Sequence, residues 1–500
     1  MAKAKKTAII PTRDDDFNAW YQQLVKEADL AEGSSVRGCM IIKPWGYALW
    51  ESIRDNLDKR FKALGVENAY FPLLVPLAAL QKEAEHVDGF AKECAVVTHK
   101  KLEMVDGTLI PRGKLEEPYV IRPTSEMIIG ESFSKWVNSY RDLPIKINQW
   151  ANVMRWEMRP RIFLRTSEFL WQEGHTVHAS KDEAHELTRE VLKLYQEFVE
   201  QELAMSLYVG EKTESEKFPG ADTTYTIEAI MQDGKALQAG TSHFLGQNFS
   251  KAQNIKYLSQ EGFEQLAWTT SWGVSTRLIG GMIMNHGDDN GMVLPPRVAR
   301  YQVCFIPVYK NDDEKVLVME KIEQIKNQVE QLKYNDSDIR ILVDDSDDRW
   351  GNKYWKAVKR GIPLIVELGQ RDIEKNQVVR TRRDIGVGNK EFIPMDNFIE
   401  NISSDLEAIQ NNLLELSKEH REKQCVNIES KEGFKQFLKH KETPMKHALL
   451  FLQDCEEVRG LLAKNQMSFR CLPLGDSEKK GQCLVTGHEV LGKVLVGQAY

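Results

Sequence analysis

The stretch Ile145–Glu173, IKINQWANVMRWEMRPRIFLRTSEFLWQE, constrains the chain most. Apolar and polar residues alternate up to Arg155-Trp156-Glu157, as in a strand with one buried face. The pattern resumes after Arg165-Thr166-Ser167-Glu168 through Phe169 and Trp171. Pro160 cannot donate to a ladder, so Met158-Arg159-Pro160-Arg161 is expected to turn. The result is a hairpin with a cationic loop and a floor carrying Arg155, Glu157 and Arg165. Guanidinium groups grip phosphate bidentately and stay charged, which suits a nucleoside triphosphate. A surface hairpin with solvated arginines explains this stretch alone about as well.

At 500 residues the chain should hold two to four domains. Hydrophobic content of 42% and charged content of 28% fit a globular protein in water. No apolar run is long enough for a bilayer, and the basic start Met1–Pro11 lacks a signal-peptide core. A cytoplasmic protein is therefore expected, with no membrane partner. Seven cysteines scattered from Cys39 to Cys483 make no disulfide framework. A net charge of -7 argues against DNA binding by the whole surface, though not against a local basic face.

Asp14-Asp15-Asp16 can cap a helix carrying Phe17, Trp20, Tyr21, Leu24 and Val25. A second helix is predicted from about Pro44 to Leu64, closed by Gly65. Asn68–Pro76 reads as a short edge strand interrupted by Pro72. A strand through Val120-Ile121 leads to Thr124-Ser125-Glu126 at a helix start, where capping alone would explain Thr124. Asp182–Tyr208 reads as one long helix with a stripe of Leu187, Val191, Leu194, Tyr195 and Phe198. Tyr225–Gln238 is a hairpin about Asp233-Gly234, running into small residues at Ala239-Gly240-Thr241-Ser242. From about Arg300, strands alternate with helices, implying a compact α/β unit with partly parallel strands. A polar helix, about Asn397–Gln424, is expected to link it to a C-terminal piece. The expected fold class is α/β: an α+β catalytic domain on an antiparallel sheet (1–299), an α/β domain (300–399), and a linker helix with a small α+β domain (400–500).

The pattern of Arg155, Glu157, Arg165 and Phe169 resembles motif 2 of class II aminoacyl-tRNA synthetases. Pro44–Pro76 resembles motif 1, and Ser271–Arg277 (SWGVSTR) the motif 3 region. The strings RPTSE (Arg122–Glu126), RTSEFLWQE (Arg165–Glu173), GTSHFLGQ (Gly240–Gln247) and Leu294-Pro295-Pro296 resemble prolyl-tRNA synthetases of the archaeal and eukaryote-like branch. GIPLIVELGQRD (Gly361–Asp372) resembles that family's anticodon-binding domain, and the terminal Tyr500 fits the same branch. The resemblance covers nearly the whole chain. Single motifs are weak, but five in order are strong.

The resemblance implies two steps: ATP-dependent prolyl-adenylate formation, then transfer to the terminal adenosine of tRNA(Pro). It implies catalytic roles for Arg155 and Arg277. ATP, with Mg²⁺ as its counter-ion, would meet Arg155, Glu157, Arg165, Thr166, Phe169, Gln238, Thr241, Ser275 and Arg277. L-Proline would meet Thr124, Glu126, Arg155, Trp171, Glu173, His175 and His243, although orienting the pocket would by itself account for Glu173 and His175. Glu367, Arg371 and Arg383 are the expected anticodon contacts, and a homodimer through motif 1 is expected. The interval Gln172–Gln238 leaves no room for an editing domain, so alanine could be misactivated. A synthetase-like binding protein without catalysis is the rival from another class; it should have lost a motif arginine, and Arg155, Arg165 and Arg277 are all present. An enzyme for another amino acid is the second rival, disfavoured by the Thr-Ser-Glu and Thr-Ser-His pair. One departure stands out. The family's C-terminal domain often holds zinc on four cysteines, yet here only Cys455 and Cys483 match, with Leu450 and Thr486 at the other two positions. No structural zinc is expected. Cys471 lies in an apolar run and reads as a core thiol.

Overall fold

The computed structural model describes residues 7–84, 93–440, 444–475 and 478–500; the basic start Met1–Lys6 lies outside them. An eleven-stranded sheet runs through the molecule. In chain order its strands are β1 (Glu67–Asn68), β2 (Ile145–Met154), β3 (Glu168–His178), β4 (Leu207–Glu211), β5 (Thr223–Ile230) and β6 (Ala236–Gly246). They continue with β7 (Trp268–Ser275), β8 (Cys425–Asn427), β9 (His447–Leu450), β10 (Ser468–Pro473) and β11 (Val494–Gly497). Side by side they lie β8-β9-β11-β10-β4-β5-β6-β7-β3-β2-β1. Neighbours are antiparallel except for the pairs at the two ends. A separate five-stranded sheet has Ile341–Val343, Val303–Val308 and Leu364–Gly369 parallel, then two antiparallel strands. The α/β class read from the alternation is the class observed.

The predicted helices start where their caps are. Asp16 accepts from the N–H groups of Asn18 and Ala19 and opens Phe17–Glu27. Pro44 opens Pro44–Ala63, and Gly65 follows in the left-handed region at φ +73°. Those two helices and Lys181–Gln201 bury their apolar stripes in one core against the central sheet.

Four expectations need correction. The 155–167 loop does not reverse at Met158–Arg161. The chain turns at Arg161–Arg165, where each backbone bonds the other and Phe163 takes φ +63°. Burial of Phe163 and Leu164, and the Tyr21 hydroxyl donating to Ile162 O, outweigh the turn chemistry of Pro160. The long helix stops at Gln201, not Tyr208, because Leu207–Glu211 is strand β4. The helix Met395–Lys423 is no solvated linker. Phe398, Ile402, Leu406, Ile409 and Leu413 make a buried stripe, and Gln410 donates to Gln201 O. The Arg383 side chain is fully buried, so it does not face a nucleic acid. Its two terminal nitrogens donate to both oxygens of Asp288 at 2.6 and 2.5 Å, joining the five-stranded unit to the catalytic part.

The C-terminal strands extend the catalytic sheet directly, with Leu472 opposite Glu211 and Pro473 opposite Gly210. Tyr500 ends against β6, its N–H on Ala236 O and its hydroxyl on Asp233 at 2.6 Å.

The Arg383–Asp288 pair generates a prediction. Removing one partner of a buried pair leaves the other uncompensated, at a cost of about 3 kcal/mol here, since Asp288 keeps some solvent. Arg383→Met should lower the thermal midpoint by several degrees while the protein still folds. A midpoint equal to wild type in a melting experiment would contradict this role.

Candidate active site

A cleft of about 340 Å³ opens on the sheet across β3, β7 and β6. Its walls include Thr124, Glu126, Arg155, Phe169, Trp171, Glu173, His175, Gln238, Thr241, His243, Ser275 and Arg277. Twelve expected residues from five separate stretches thus meet in one place. Glu157, Arg165 and Thr166 do not line it. They sit on the 155–167 loop beside it, with Arg165 half exposed and 3.9 Å from Glu157.

The register of the hairpin explains the convergence. In β3, Phe169, Trp171, Glu173 and His175 alternate onto one face. In β6 Thr241 and His243 do the same, and β7 brings Ser271, Gly273 and Ser275 between them. Glycine is required at 240, where a Cβ would lie 2.8 Å from Val274. Arg155 follows β2. Its Nε donates to Pro123 O at 2.8 Å, and its guanidinium lies over the rings of Phe169 and Trp171. Arg277 begins the helix Arg277–His286, with Nε donating to Leu164 O. Burial, then the charges of Arg165 and Arg155, bring its proton affinity down to about 10, which still leaves it cationic at neutral pH.

At the other end of the cleft lies an acidic, enclosed pocket. Thr124 does not cap its helix; its hydroxyl donates to the Glu126 carboxylate. Ser125 Oγ and Gln149 Nε2 both donate to Glu173 Oε1, the latter at 2.8 Å. Glu173 Oε2 faces His175 Nε2 at 3.0 Å. Burial works to raise the Glu173 carboxyl, but the His175 bond and charge, with Ser125 and Gln149, hold it below the usual range. Burial likewise works against a charged His175, and Glu173 and Glu126 overcome it and raise its affinity for the proton. His243 goes the other way. Burial, then the charge of His175, push it down to about 3, so it is neutral. Its Nδ1 meets Thr224 Oγ1 at 3.0 Å and its ring packs on Phe218.

Glu126, Glu173 and His175 offer atoms within 4.8 Å of one another, a spacing that a cation could use. Both Glu173 oxygens are already engaged, so Glu126 is the carboxylate free to meet a positively charged group. The geometry therefore sets an ammonium-sized acidic pocket beside a strip of guanidinium groups, with Arg155 between them.

Sequence reasoning missed Lys212, Glu216, Lys217, Phe218, Pro219 and Ser271, which also line the cleft. Ser271 Oγ is buried with no hydrogen-bond partner among the described residues. The signal was available in the polar run Lys212–Gly220, a long loop inserted before a strand, since such loops often carry function.

The family model described as "tRNA synthetase class II core domain (G, H, P, S and T)" matches residues 110–286. The one described as "Anticodon binding domain" matches residues 302–405. The chain is 52% identical over 497 residues to a proline--tRNA ligase of Bdellovibrio bacteriovorus, covering 99% of both chains. It is 50% identical to a proline--tRNA ligase of Rhodopirellula baltica, covering 100% of this chain and 99% of that one. It is 46% identical to a proline--tRNA ligase of Porphyromonas gingivalis, over 99% of this chain and 100% of that one.

The Glu173–His175 pair makes a prediction that needs no substrate. In wild type, His175 should titrate above a free histidine. In Glu173→Gln the bond and charge that oppose burial are lost, so its titration should fall below that of the wild type by a unit or more, on the order of the shift that loss of a carboxylate neighbour gives. Histidine NMR measures both. Equal titration in the two proteins would refute the pairing.

Proposed function

The chain belongs to the class II tRNA synthetases, in the proline--tRNA ligase family, and on that premise we propose that it attaches L-proline to tRNA(Pro). The observation that carries the reading is the position of Arg155, between the acidic pocket and the guanidinium strip. Adenylate formation brings two anions together, the proline carboxylate and the α-phosphate. Charge that develops there is stabilised most by a preorganised cation fixed before reaction, and Arg155 is fixed by Pro123 O and two rings. The ammonium of proline would rest on Glu126, a charge-assisted contact. Trp171 and Phe218 supply apolar walls for the ring. Attack of the carboxylate on the α-phosphate releases pyrophosphate; the prolyl group then passes from the adenylate to the tRNA terminal adenosine, and AMP leaves.

ATP fits the other end. Arg277 would face its phosphates, with Arg165 on the loop beside the cleft, and Gln238, Thr241, Ser275 and the Ser271 hydroxyl would offer neutral hydrogen bonds. Mg²⁺ would fit as a counter-ion to the phosphates, with the amide oxygen of Gln238 and the hydroxyl oxygens of Thr241 and Ser275 as the hard donors at hand. It would supply charge neutralisation.

The remaining parts of the reading rest on weaker support. The five-stranded unit would take the anticodon stem-loop. Arg371 is exposed on the short helix Gln370–Glu374, whereas Glu367 already holds Lys390 through both oxygens at 2.7 Å. Lys390 lies under Trp350, a partly exposed ring on which an unstacked base could rest. A homodimer would use the Pro44–Pro76 region. No helix among the described residues is long and apolar enough to cross a membrane, in keeping with a cytoplasmic location. The reading includes no structural zinc. Leu450 is fully buried in an apolar cluster. Cys483 Sγ accepts the N–H groups of Gln453 and Thr486, and Gln453 Oε1 meets Thr486 Oγ1 and His488 Nδ1. That bonding ties the two turns to each other.

Two measurements test the activity. Arg155→Ala should fold and lose proline-dependent ATP–pyrophosphate exchange by about 10² to 10³. Exchange within about threefold of wild type would sink the assignment. The second concerns fidelity. A missing methylene is worth only about 1–3 kcal/mol, so a proline pocket should admit alanine weakly. From Gln172 to Gln238 the chain is occupied by β3, a helix, β4 and β5. Alanine should therefore support exchange, and alanyl-tRNA(Pro) should persist. Rapid hydrolysis of added alanyl-tRNA(Pro) by the purified chain would count against this.

A further inference from the structure

The loop from Lys212 to Asp222 roofs the acidic end of the cleft. Lys212, Glu216, Lys217, Phe218 and Pro219 all line it, and the Phe218 ring sits 4.6 Å from the His243 ring. Phe218 is tied to the sheet through its N–H on Thr224 Oγ1, and Asp222 through its N–H on Phe244 O. The middle of the loop pairs with no strand of the sheet. Two further anchors involve the C-terminal region, one directly and one through Glu228. Asp454 Oδ2 accepts the Ser215 N–H at 2.7 Å. Lys212 Nζ donates to Glu228 at 2.7 Å, and Glu228 is gripped from its other side by Arg470 of β10 at 3.0 Å. Lys212, Glu228 and Arg470 are all buried, so none of the three can turn to solvent when a partner is lost.

We propose that the C-terminal region is a positioning element for the amino-acid pocket: Asp454 and Arg470 hold the loop Lys212–Asp222 so that Phe218 stays against His243. The proposal rests on the reading of this cleft as the proline-activating site. Asp454 is placed for the task by the hydrogen-bonded turn around Gln453, immediately before Cys455. Its two oxygens divide the work. Oδ1 takes Arg459 on the C-terminal side, and Oδ2 takes the loop. A short turn stiffened in this way transmits its position across the gap, because a charge-assisted bond to a backbone N–H is short and directional. The buried Lys212–Glu228–Arg470 set fixes the root of the same loop. The Asp454 anchor acts on the part of the loop next to Phe218, at the end of the cleft that takes the amino acid.

The test uses the full chain and four proteins: wild type, Asp454→Ala, Asp454→Asn and Arg459→Ala. Asparagine keeps an oxygen for the Ser215 N–H, and Arg459→Ala removes the other partner of Asp454 without touching the loop. Backbone amide exchange is followed across residues 213–222, and pyrophosphate exchange gives KM for proline and for ATP. In Asp454→Ala the loop amides should exchange at least several-fold faster, with no change along Met395–Lys423. KM for proline should rise about tenfold, the order expected for one lost charged hydrogen bond, with KM for ATP within twofold. Asp454→Asn and Arg459→Ala should match wild type in both measurements. Loop exchange unchanged in Asp454→Ala would overturn the proposal, as would equal rises in both KM values. A wild type inactive with proline would defeat the functional reading instead, and amide exchange would still decide whether Asp454 holds the loop.

Discussion

The Glu173 carboxylate is the constraint on which the site depends. A buried carboxylate is costly unless each oxygen is satisfied. Here Oε1 takes Ser125 and Gln149, and Oε2 takes His175. Each partner belongs to a different element: the start of the helix Glu126–Trp136, strand β2, and β3 itself. Gln149 in turn accepts the Phe71 N–H at 2.7 Å, bringing in the chain before the Leu74–Pro76 strand. One charge therefore fixes how three segments meet. Its protonation would release Ser125, and with it the neighbouring Thr124 and Glu126. The pocket is organised by a group whose oxygens are already spent, and in the proposed function the substrate-facing work falls to Glu126.

Arg122 is the counterpart on the outer side. It is buried, and it donates to Asn152 O at 2.8 Å and Phe71 O at 2.7 Å. These bonds satisfy backbone carbonyls at the irregular end of β2, where the ladder has stopped. Together Glu173 and Arg122 explain why the Arg122–Glu126 string holds its shape as a non-helical turn. Thr124 can then point its hydroxyl at Glu126, where a normal N-cap would have turned it toward the helix.

Much of this was legible in the chain itself. The β2–β3 and β5–β6 hairpins follow from alternation, and the caps at Asp16 and Gly65 from local chemistry. The residues that meet in the cleft could be named because motif strings mark them. What escaped has a common physical cause, long-range burial. Phe163 takes a left-handed turn because its ring has a core to enter, which no local rule anticipates. The Met395–Lys423 helix looked polar because its buried stripe is narrow and most of the rest is polar or charged. Arg383 reads as an anticodon contact by family resemblance and by the reach of its donors, and only the fold shows Asp288 opposite it. The loop Lys212–Asp222 carries few apolar residues of its own and owes its position to a strand added from the far end of the chain.

The electrostatics of the phosphate end follow from the same extension of the sheet. Arg155, Arg165 and Arg277 lie close enough for the first two to lower the proton affinity of the third. Like charges gathered in a low-dielectric cleft are unfavourable unless a counter-charge is near. The nearest buried carboxylate that opposes Arg277 is Glu228. That carboxylate is already held by Lys212 and Arg470, through bonds that keep it ionised against the cost of burial. Its negative charge is thereby shared with two cations and offsets the strip only in part. Had β10 not joined the sheet at β4, Arg470 would be absent and Glu228 would be left to Lys212 and Arg277. The C-terminal strands thus leave the guanidinium groups undercompensated, which is the state that favours binding an anion. A triphosphate entering the cleft relieves a repulsion that the fold has built in beforehand.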